Sequence, residues 1–120
     1  VHMIGQSVGG CSNATHGMTL SAVSLAYYHH ILPYGLKQFV KFAKNVWNVN
    51  DTNKTETQIA LEGLDKLEQW MKEIGVVLHL KELNVTEAMF DDIVKGTFIS
   101  NTGYKTLTKE EIKEILKESM

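Results

Sequence analysis

Hydrophobic residues recur every three or four positions along most of the chain, the spacing that places them on one face of an α-helix. Residues 57–74 form the clearest stripe, made of Ala60, Leu61, Leu64, Leu67, Met71 and Ile74. Residues 36–47 repeat it with Leu36, Phe39, Val40, Ala43, Val46 and Trp47. No alternation of polar and apolar residues is long enough to build a sheet. The pattern predicts an all-α fold, a helical bundle of about five to six helices.

Turn and capping residues give the expected helix boundaries in the first third of the chain. Gly9-Gly10 predicts the end of a first helix over residues 1–9, because glycine is common just past a helix end. Residues 11–14 are then a loop. Thr15 is a suitable N-cap for a second helix over residues 16–31, which is apolar almost all round and is therefore predicted to be central.

Similar signals divide the rest of the chain. Gly75 follows the long stripe and predicts its end. A short helix is predicted over residues 86–95, with Thr86 as its cap. Thr108 and Glu111 have the T-x-x-E spacing of a capping box, which predicts the start of a last helix.

Charge is distributed very unevenly. Residues 1–36 contain no Asp, Glu, Lys or Arg, and all 12 lysines and 14 acidic residues lie at or after Lys37. A surface segment of this length normally carries charges. Residues 1–36 are therefore predicted to be buried, or to line a cleft against something else. Because the chain opens on Val1 within an apparent helix, we expect a piece of a larger protein.

Composition excludes several classes of protein. A chain of 120 residues is read as one domain, residues 1–120. With a net charge of −2 and no arginine, it lacks the features of a nucleic-acid binder, so no nucleic-acid partner is expected. The longest apolar stretch is interrupted by polar residues, so no membrane association is expected. A single cysteine and no leader pattern favour a cytoplasmic location.

Candidate chemistry is concentrated in the opening stretch VHMIGQSVGGCSNATHGM, where His2 and His16 lie fourteen positions apart. On one unbroken helix they would be roughly 21 Å apart. Two nitrogens on one metal ion must lie within roughly 3.5 Å of each other, so the chain has to reverse between them. Neutral imidazoles suit Zn²⁺ or Fe²⁺, but two ligands do not complete a site. Cys11 is a possible third ligand; the alternative is two buried histidines bonded to backbone carbonyls.

The other polar candidates give weaker signals. His29 and His30 are adjacent, so their side chains point about 100° apart on a helix and cannot share a site. His30 is predicted to offset a helix dipole, and His79 to have no specific role. Gln6 is four residues after His2 and shares its helix face, where an amide could hold water or a substrate hydroxyl.

The stretch VHMIGQSVGGCSNATHGMTLSAV resembles the C-terminal metal-binding signature of the iron-containing (group III) alcohol dehydrogenases, and most resembles their NAD(P)H-dependent butanol dehydrogenase branch. The family pattern is matched by His2, Gly5, Gly9, His16 and Gly17. The likeness continues through LPYGLKQFVKFAKNVW, GLDKLEQWMKEIGVVLHLKELNV and TGYKTLTKEEIKEIL. It covers essentially the whole chain and is most specific in the first forty residues.

The resemblance implies that His2 and His16 are two of four metal ligands, the others being an Asp and a His from an earlier helix outside this chain. It also implies a divalent metal, Fe²⁺ or Zn²⁺, and NAD(P), bound mainly by an N-terminal nucleotide-binding domain that these residues do not contain. Gln6 stands where many members have a histidine, at a position facing nicotinamide and substrate. It is therefore the predicted catalytic residue.

The implied reaction interconverts small primary alcohols and aldehydes by hydride transfer, with the metal acting as a Lewis acid. The expected partners are the remainder of the parent enzyme and further copies of it in a homo-oligomer; the isolated chain is expected to be inactive. The alternative hypothesis is a free-standing helical binding or assembly module. Two copies about a two-fold axis would then present His2 and His16 twice, as a four-histidine metal site at a homodimer interface.

Overall fold

The computed structural model describes residues 1–99, 101 and 103–120. The described residues contain no strand and form the following α-helices: α1 (His2–Ser12), α2 (His16–Ile31), α3 (Leu36–Trp47), α4 (Glu56–Ile74), α5 (Phe90–Gly96) and α6 (Lys109–Glu118). Short 3₁₀ turns at Leu32–Tyr34, Leu80–Leu83 and Glu87–Met89 connect some of them. The predicted all-α bundle is confirmed. No helix in the described part of the chain is both long and apolar enough to cross a membrane.

The predicted end of the first helix is wrong. Helix α1 continues through Gly9 and Gly10 to Ser12, and it ends where Asn13 adopts a left-handed conformation with φ 59°. The Asn13 N–H donates to the Gly9 carbonyl at 2.9 Å, which closes the last turn. Asparagine tolerates this conformation because its short polar side chain bonds locally, so the glycines are not needed to end the helix. The prediction for α2 is confirmed, since it spans His16–Ile31 and follows Thr15.

Most of the remaining boundaries follow local capping signals. Helix α6 begins with the predicted capping box between Thr108 and Glu111. Helix α4 begins with a capping box that the sequence analysis missed, formed by Thr55 and Gln58. Gly75 ends α4 with φ 78°, as predicted.

The helix predicted over 86–95 begins later than expected. Residues Glu87–Met89 form a 3₁₀ turn, and α5 starts at Phe90. The Thr86 side chain makes no capping hydrogen bond. Without that bond, no side chain satisfies the free N–H groups at this end, and the chain enters α5 through the tighter turn.

The core has a larger and a smaller part. The larger part joins α1, α2, α5 and α6, and its fully buried members include Val8, Val23, Phe90, Ile93, Ile112, Ile115 and Leu116. Helices α3 and α4 pack against each other, and smaller clusters around Leu64 and Ala43 join them to each other and to the end of α2. Helix α2 contacts both parts, so its predicted central position is confirmed.

The predicted burial of residues 1–36 holds only for the inner sides of α1 and α2. Ile4, Val8 and Val23 are buried there. The uncharged outer side is exposed and includes His2, Gln6, Cys11, His16 and Met18. A charge-free surface therefore faces outward in this chain. The buried and exposed positions of α1 and α2 follow the helical repeat, although no charged residue occupies the exposed ones.

Candidate metal centre

The two predicted metal-ligating histidines come together in the structure. His2 is the first residue of α1 and His16 the first of α2. Their ring centres are 5.6 Å apart, and the ring planes are tilted by 57°. The chain reverses after Asn13, as the separation of the two residues requires.

A close crossing of α1 and α2 sets this geometry. A Cβ atom on Gly5 would lie 2.7 Å from Leu20 Cδ2 and 3.3 Å from Thr19 Oγ1, so glycine is what permits the approach. Thr19 is fully buried, and its hydroxyl donates to the His16 carbonyl at 2.8 Å. Thr19 therefore fixes the first turn of α2, from which the His16 ring projects. This role could not be predicted from the sequence, because a threonine in an apolar helix gives no sign of it.

The distance between the rings can be compared with that at a real metal site. With a metal–nitrogen bond of about 2.1 Å, a ring centre lies roughly 3.2 Å from the metal, and tetrahedral geometry puts two ring centres about 5 Å apart. The observed 5.6 Å is close to that value. Both side chains are exposed. The pair therefore fits part of a metal-binding donor set.

The described residues supply only this pair of donors. No group of three or more His, Cys, Asp or Glu side chains that could hold a metal ion occurs among them. Cys11 is exposed, and the structure gives it no place as a third ligand. The alternative of two buried histidines bonded to backbone carbonyls is wrong, since His2 and His16 are both exposed. Gln6 lies one turn after His2 on α1 and is exposed too.

A cavity of about 340 Å³ lies beside His2. Its described lining is mostly apolar and comes from α1, α2, α6, residues 97–99 and residues 103–107, including Met3, Ile4, Tyr27, Phe98, Ile99, Leu107 and Ile112. Lys105 is the one lysine among these lining residues. The sequence did not predict this cavity, because residues 97–107 have no hydrophobic periodicity to place them.

The remaining histidines lie elsewhere. His29 and His79 border a separate cavity of about 180 Å³. His30 lies in the last turn of α2, as predicted, but its Nε2 is also 2.6 Å from Glu111 Oε2. The bond from His30, with smaller contributions from Lys105 and the Thr108 amide, lowers the pKa of Glu111 from 4.5 to about 2 although burial opposes this.

Fold and site together define an all-α domain in which two helix ends present a histidine pair beside an apolar cavity. The chain belongs to the Fe-containing alcohol dehydrogenase family, whose C-terminal model matches residues 1–120. The family predicted from the opening stretch is thereby confirmed.

Individual relatives agree with this assignment. The chain is 27% identical over 121 residues to the probable NADH-dependent butanol dehydrogenase 1 of Bacillus subtilis, covering 99% of this chain and 31% of that protein. Its fold is similar to a crystal structure of 1,3-propanediol oxidoreductase, with a TM-score of 0.89 and 18% identity. That match covers 99% of this chain and 32% of the other. It is also similar to the NADH-dependent butanol dehydrogenase A of Thermotoga maritima, with a TM-score of 0.84 and 24% identity. That match covers 98% of this chain and 32% of the other. The chain thus spans about a third of the length of these relatives.

Proposed function

We propose that this chain is the C-terminal helical domain of a metal- and NAD(P)-dependent alcohol dehydrogenase of the butanol dehydrogenase type. The observation that carries the proposal is the convergence of the His2 and His16 rings to 5.6 Å beside a mostly apolar cavity. Membership of the Fe-containing alcohol dehydrogenase family supports it. The substrates are small primary alcohols and the corresponding aldehydes.

In this proposal His2 and His16 supply two imidazole ligands for Fe²⁺ or Zn²⁺. The missing donors, an Asp and a His, come from a part of the parent enzyme outside these residues. That dependence agrees with the described donor set, which stops at two. When bound, the metal polarises the alcohol or aldehyde oxygen as a Lewis acid, so that hydride can be exchanged with the nicotinamide.

Gln6 and the cavity complete the role of this chain. Gln6 lies on the exposed side of α1, one turn from His2, and its amide would hydrogen-bond to the substrate oxygen or to a water beside it. The apolar cavity would receive the carbon chain and exclude water from it, which favours small apolar substrates. NAD(P) would be bound mainly by a separate nucleotide-binding domain.

The direct test is the metal content of the complete protein that carries this chain. His2→Ala and His16→Ala should each lose bound metal, because each removes one of four ligands from a site without a spare. Gln6→Ala should retain metal and lose turnover. His29→Ala is the matched control, an exposed histidine on the same helix as His16, and should keep both. Wild-type metal occupancy in His16→Ala would overturn the ligand assignment.

The isolated 120-residue chain distinguishes the parent-enzyme proposal from a free-standing module. It should bind Zn²⁺ or Fe²⁺ weakly and should not oxidise butanol or reduce butyraldehyde with either nicotinamide cofactor. Tight binding of one metal ion per two chains, lost on His2→Ala, would instead support the four-histidine homodimer. Equilibrium binding combined with light scattering separates the two outcomes.

A further inference from the structure

Residues 103–107 form the outer wall of the cavity beside His2. Gly103, Lys105 and Leu107 line the cavity, whereas the intervening Tyr104 packs on the other side of the segment. There, a Cβ atom on Gly35 would lie only 2.5 Å from Tyr104 Cδ2. The segment is irregular, so no helical hydrogen bonds hold it. Side-chain contacts therefore contribute to its position.

Lys105 makes two such contacts. Its Nζ lies 3.0 Å from Glu111 Oε1 and 5.1 Å from the centre of the Tyr34 ring. The ion pair and the cation–π contact together hold the ammonium group against Glu111 and Tyr34, which are not among the described lining residues. Lys105 thus connects the cavity wall to the first turn of α6.

Glu111 contacts two further groups besides Lys105. Its Oε2 lies 2.6 Å from His30 at the end of α2, and its Oε1 also accepts from the Thr108 N–H at 3.2 Å. Both carboxylate oxygens are therefore engaged, and the side chain is only 18% exposed. Charge-assisted hydrogen bonds of this kind are stronger than neutral ones. One carboxylate consequently ties the wall segment to two helices that belong to the larger core.

We propose that Glu111 is a positioning residue of the dehydrogenase: by holding Lys105 and His30 at once, it fixes residues 103–107 as the cavity wall and sets how long a carbon chain the cavity accepts. The second half of this statement rests on the proposed function. The first half is a property of the chain itself and can be tested without metal or cofactor.

The first experiment measures the backbone order of residues 103–107 by ¹⁵N NMR relaxation in the 120-residue chain. Glu111→Gln keeps a residue that can form the capping box of α6 but removes the charge. It should lower the order parameters of residues 103–107 toward about 0.6, the value of flexible backbone, with no change in α4. Glu110→Gln is the matched control, an exposed neighbour with the same change of charge, and should leave the order parameters unaltered. Equal order parameters in the two variants would overturn the positioning role.

The second experiment compares substrates in the complete, metal-loaded protein. Glu111→Gln should lower kcat/KM for hexanal about tenfold through KM, with little change for acetaldehyde, which does not reach the wall. Lys105→Met should do the same, and Lys105→Arg should restore the wild-type ratio. Equal losses for both aldehydes would overturn the substrate-length role. A wild-type protein inactive on every aldehyde would overturn the proposed function, while the order parameters would still decide whether Glu111 positions the wall.

Discussion

Two pairs of helices, α1–α2 and α3–α4, each come into close contact at a glycine. The two contacts differ in what the glycine meets. A Cβ atom on Gly63 of α4 would lie 2.6 Å from Ala43 Cβ and 2.9 Å from Ala43 Cα, so it would meet the backbone of α3. On Gly5 of α1 it would meet the flexible end of Leu20 at 2.7 Å. The α3–α4 contact is rigid, whereas the α1–α2 contact has some capacity to adjust.

The outer surfaces of the pairs differ more strongly. Helices α3 and α4 carry lysines and acidic residues on their exposed sides, as ordinary surface helices do. The exposed side of α1 and the start of α2 carry none, and there the candidate site lies. The comparison teaches that the charge-free exposed surface and the candidate site coincide in this chain. Both pairs contribute to the core, and the α1–α2 pair also carries the candidate site.

The largest expected effect distinguishes a role of His16 in the candidate site from a role in folding. His16→Ala should reduce turnover of the complete protein by more than about 100-fold, beyond the usual cost of losing a residue that only supports a ligand. The same change should alter the unfolding free energy of the isolated chain by less than about 0.5 kcal/mol, because the side chain is exposed. Enzyme kinetics and urea unfolding measure the two quantities. A marked loss of stability would show that His16 belongs to the scaffold.

The next effect concerns the α3–α4 contact. Gly63→Ala should destabilise the chain by about 2 kcal/mol, because overpacking against Ala43 outweighs the better helix propensity of alanine. Gly10→Ala is the control: nothing lies within 4 Å of the added methyl group, so stability should rise by up to about 1 kcal/mol. Urea unfolding of the isolated chain compares them. If both variants were more stable than the wild type, the two helices would not be in rigid contact.

A smaller effect depends on pH and tests the link between α2 and α6. Because the pKa of Glu111 is about 2 in the folded chain and ordinarily 4.5, its ionised form stabilises the fold above the higher value. This contribution is lost as the pH falls from 4.5 to about 2. The stability difference between wild type and Glu111→Gln should therefore shrink over that range. A difference independent of pH would contradict the ionic link.

The smallest effect lies at the end of the α3–α4 pair. Lys44 Nζ is 2.7 Å from Asp51 Oδ2, and this hydrogen bond lowers the pKa of Asp51. The carboxylate is 57% exposed, so Asp51→Asn should have little effect on stability, and less still in high salt. Unfolding at two salt concentrations is the measurement. A larger, salt-independent cost would mean that this loop contributes to the core.

Local signals were sufficient for much of the fold. Hydrophobic periodicity and caps predicted α2, most of α4 and the start of α6, because a helix of that kind is determined by residues within a few positions. The end of α1 was mispredicted because Asn13 supplies the conformation expected of glycine. Sequence spacing required the chain to reverse between His2 and His16. It could not reveal the crossing at Gly5, which is a contact between helices.

Long-range contacts account for what the sequence could not predict. His30 and Glu111 are 81 positions apart and meet only after α2 and α6 have packed. The cavity beside His2 needs both ends of the chain, since its described lining comes from α1 and, near the other end, from residues 97–99, 103–107 and Ile112. No periodicity or motif connects such residues. The family resemblance supplied the histidine roles, but it gave no indication of Glu111 or Thr19.

Because α1 and α2 approach closely at Gly5, the number of residues between His2 and Gly5 matters as much for the position of the His2 ring as the residue types do. One residue inserted between His2 and Gly5 would rotate the His2 ring by about 100° around the helix and move it by about 1.5 Å, while His16 stayed in place. Every residue type would be preserved, and the two rings would no longer face each other. Insertions in the connection between α3 and α4, residues 48–55, would leave the pair unaffected. Related sequences should therefore vary in length there and keep a constant spacing between His2 and His16.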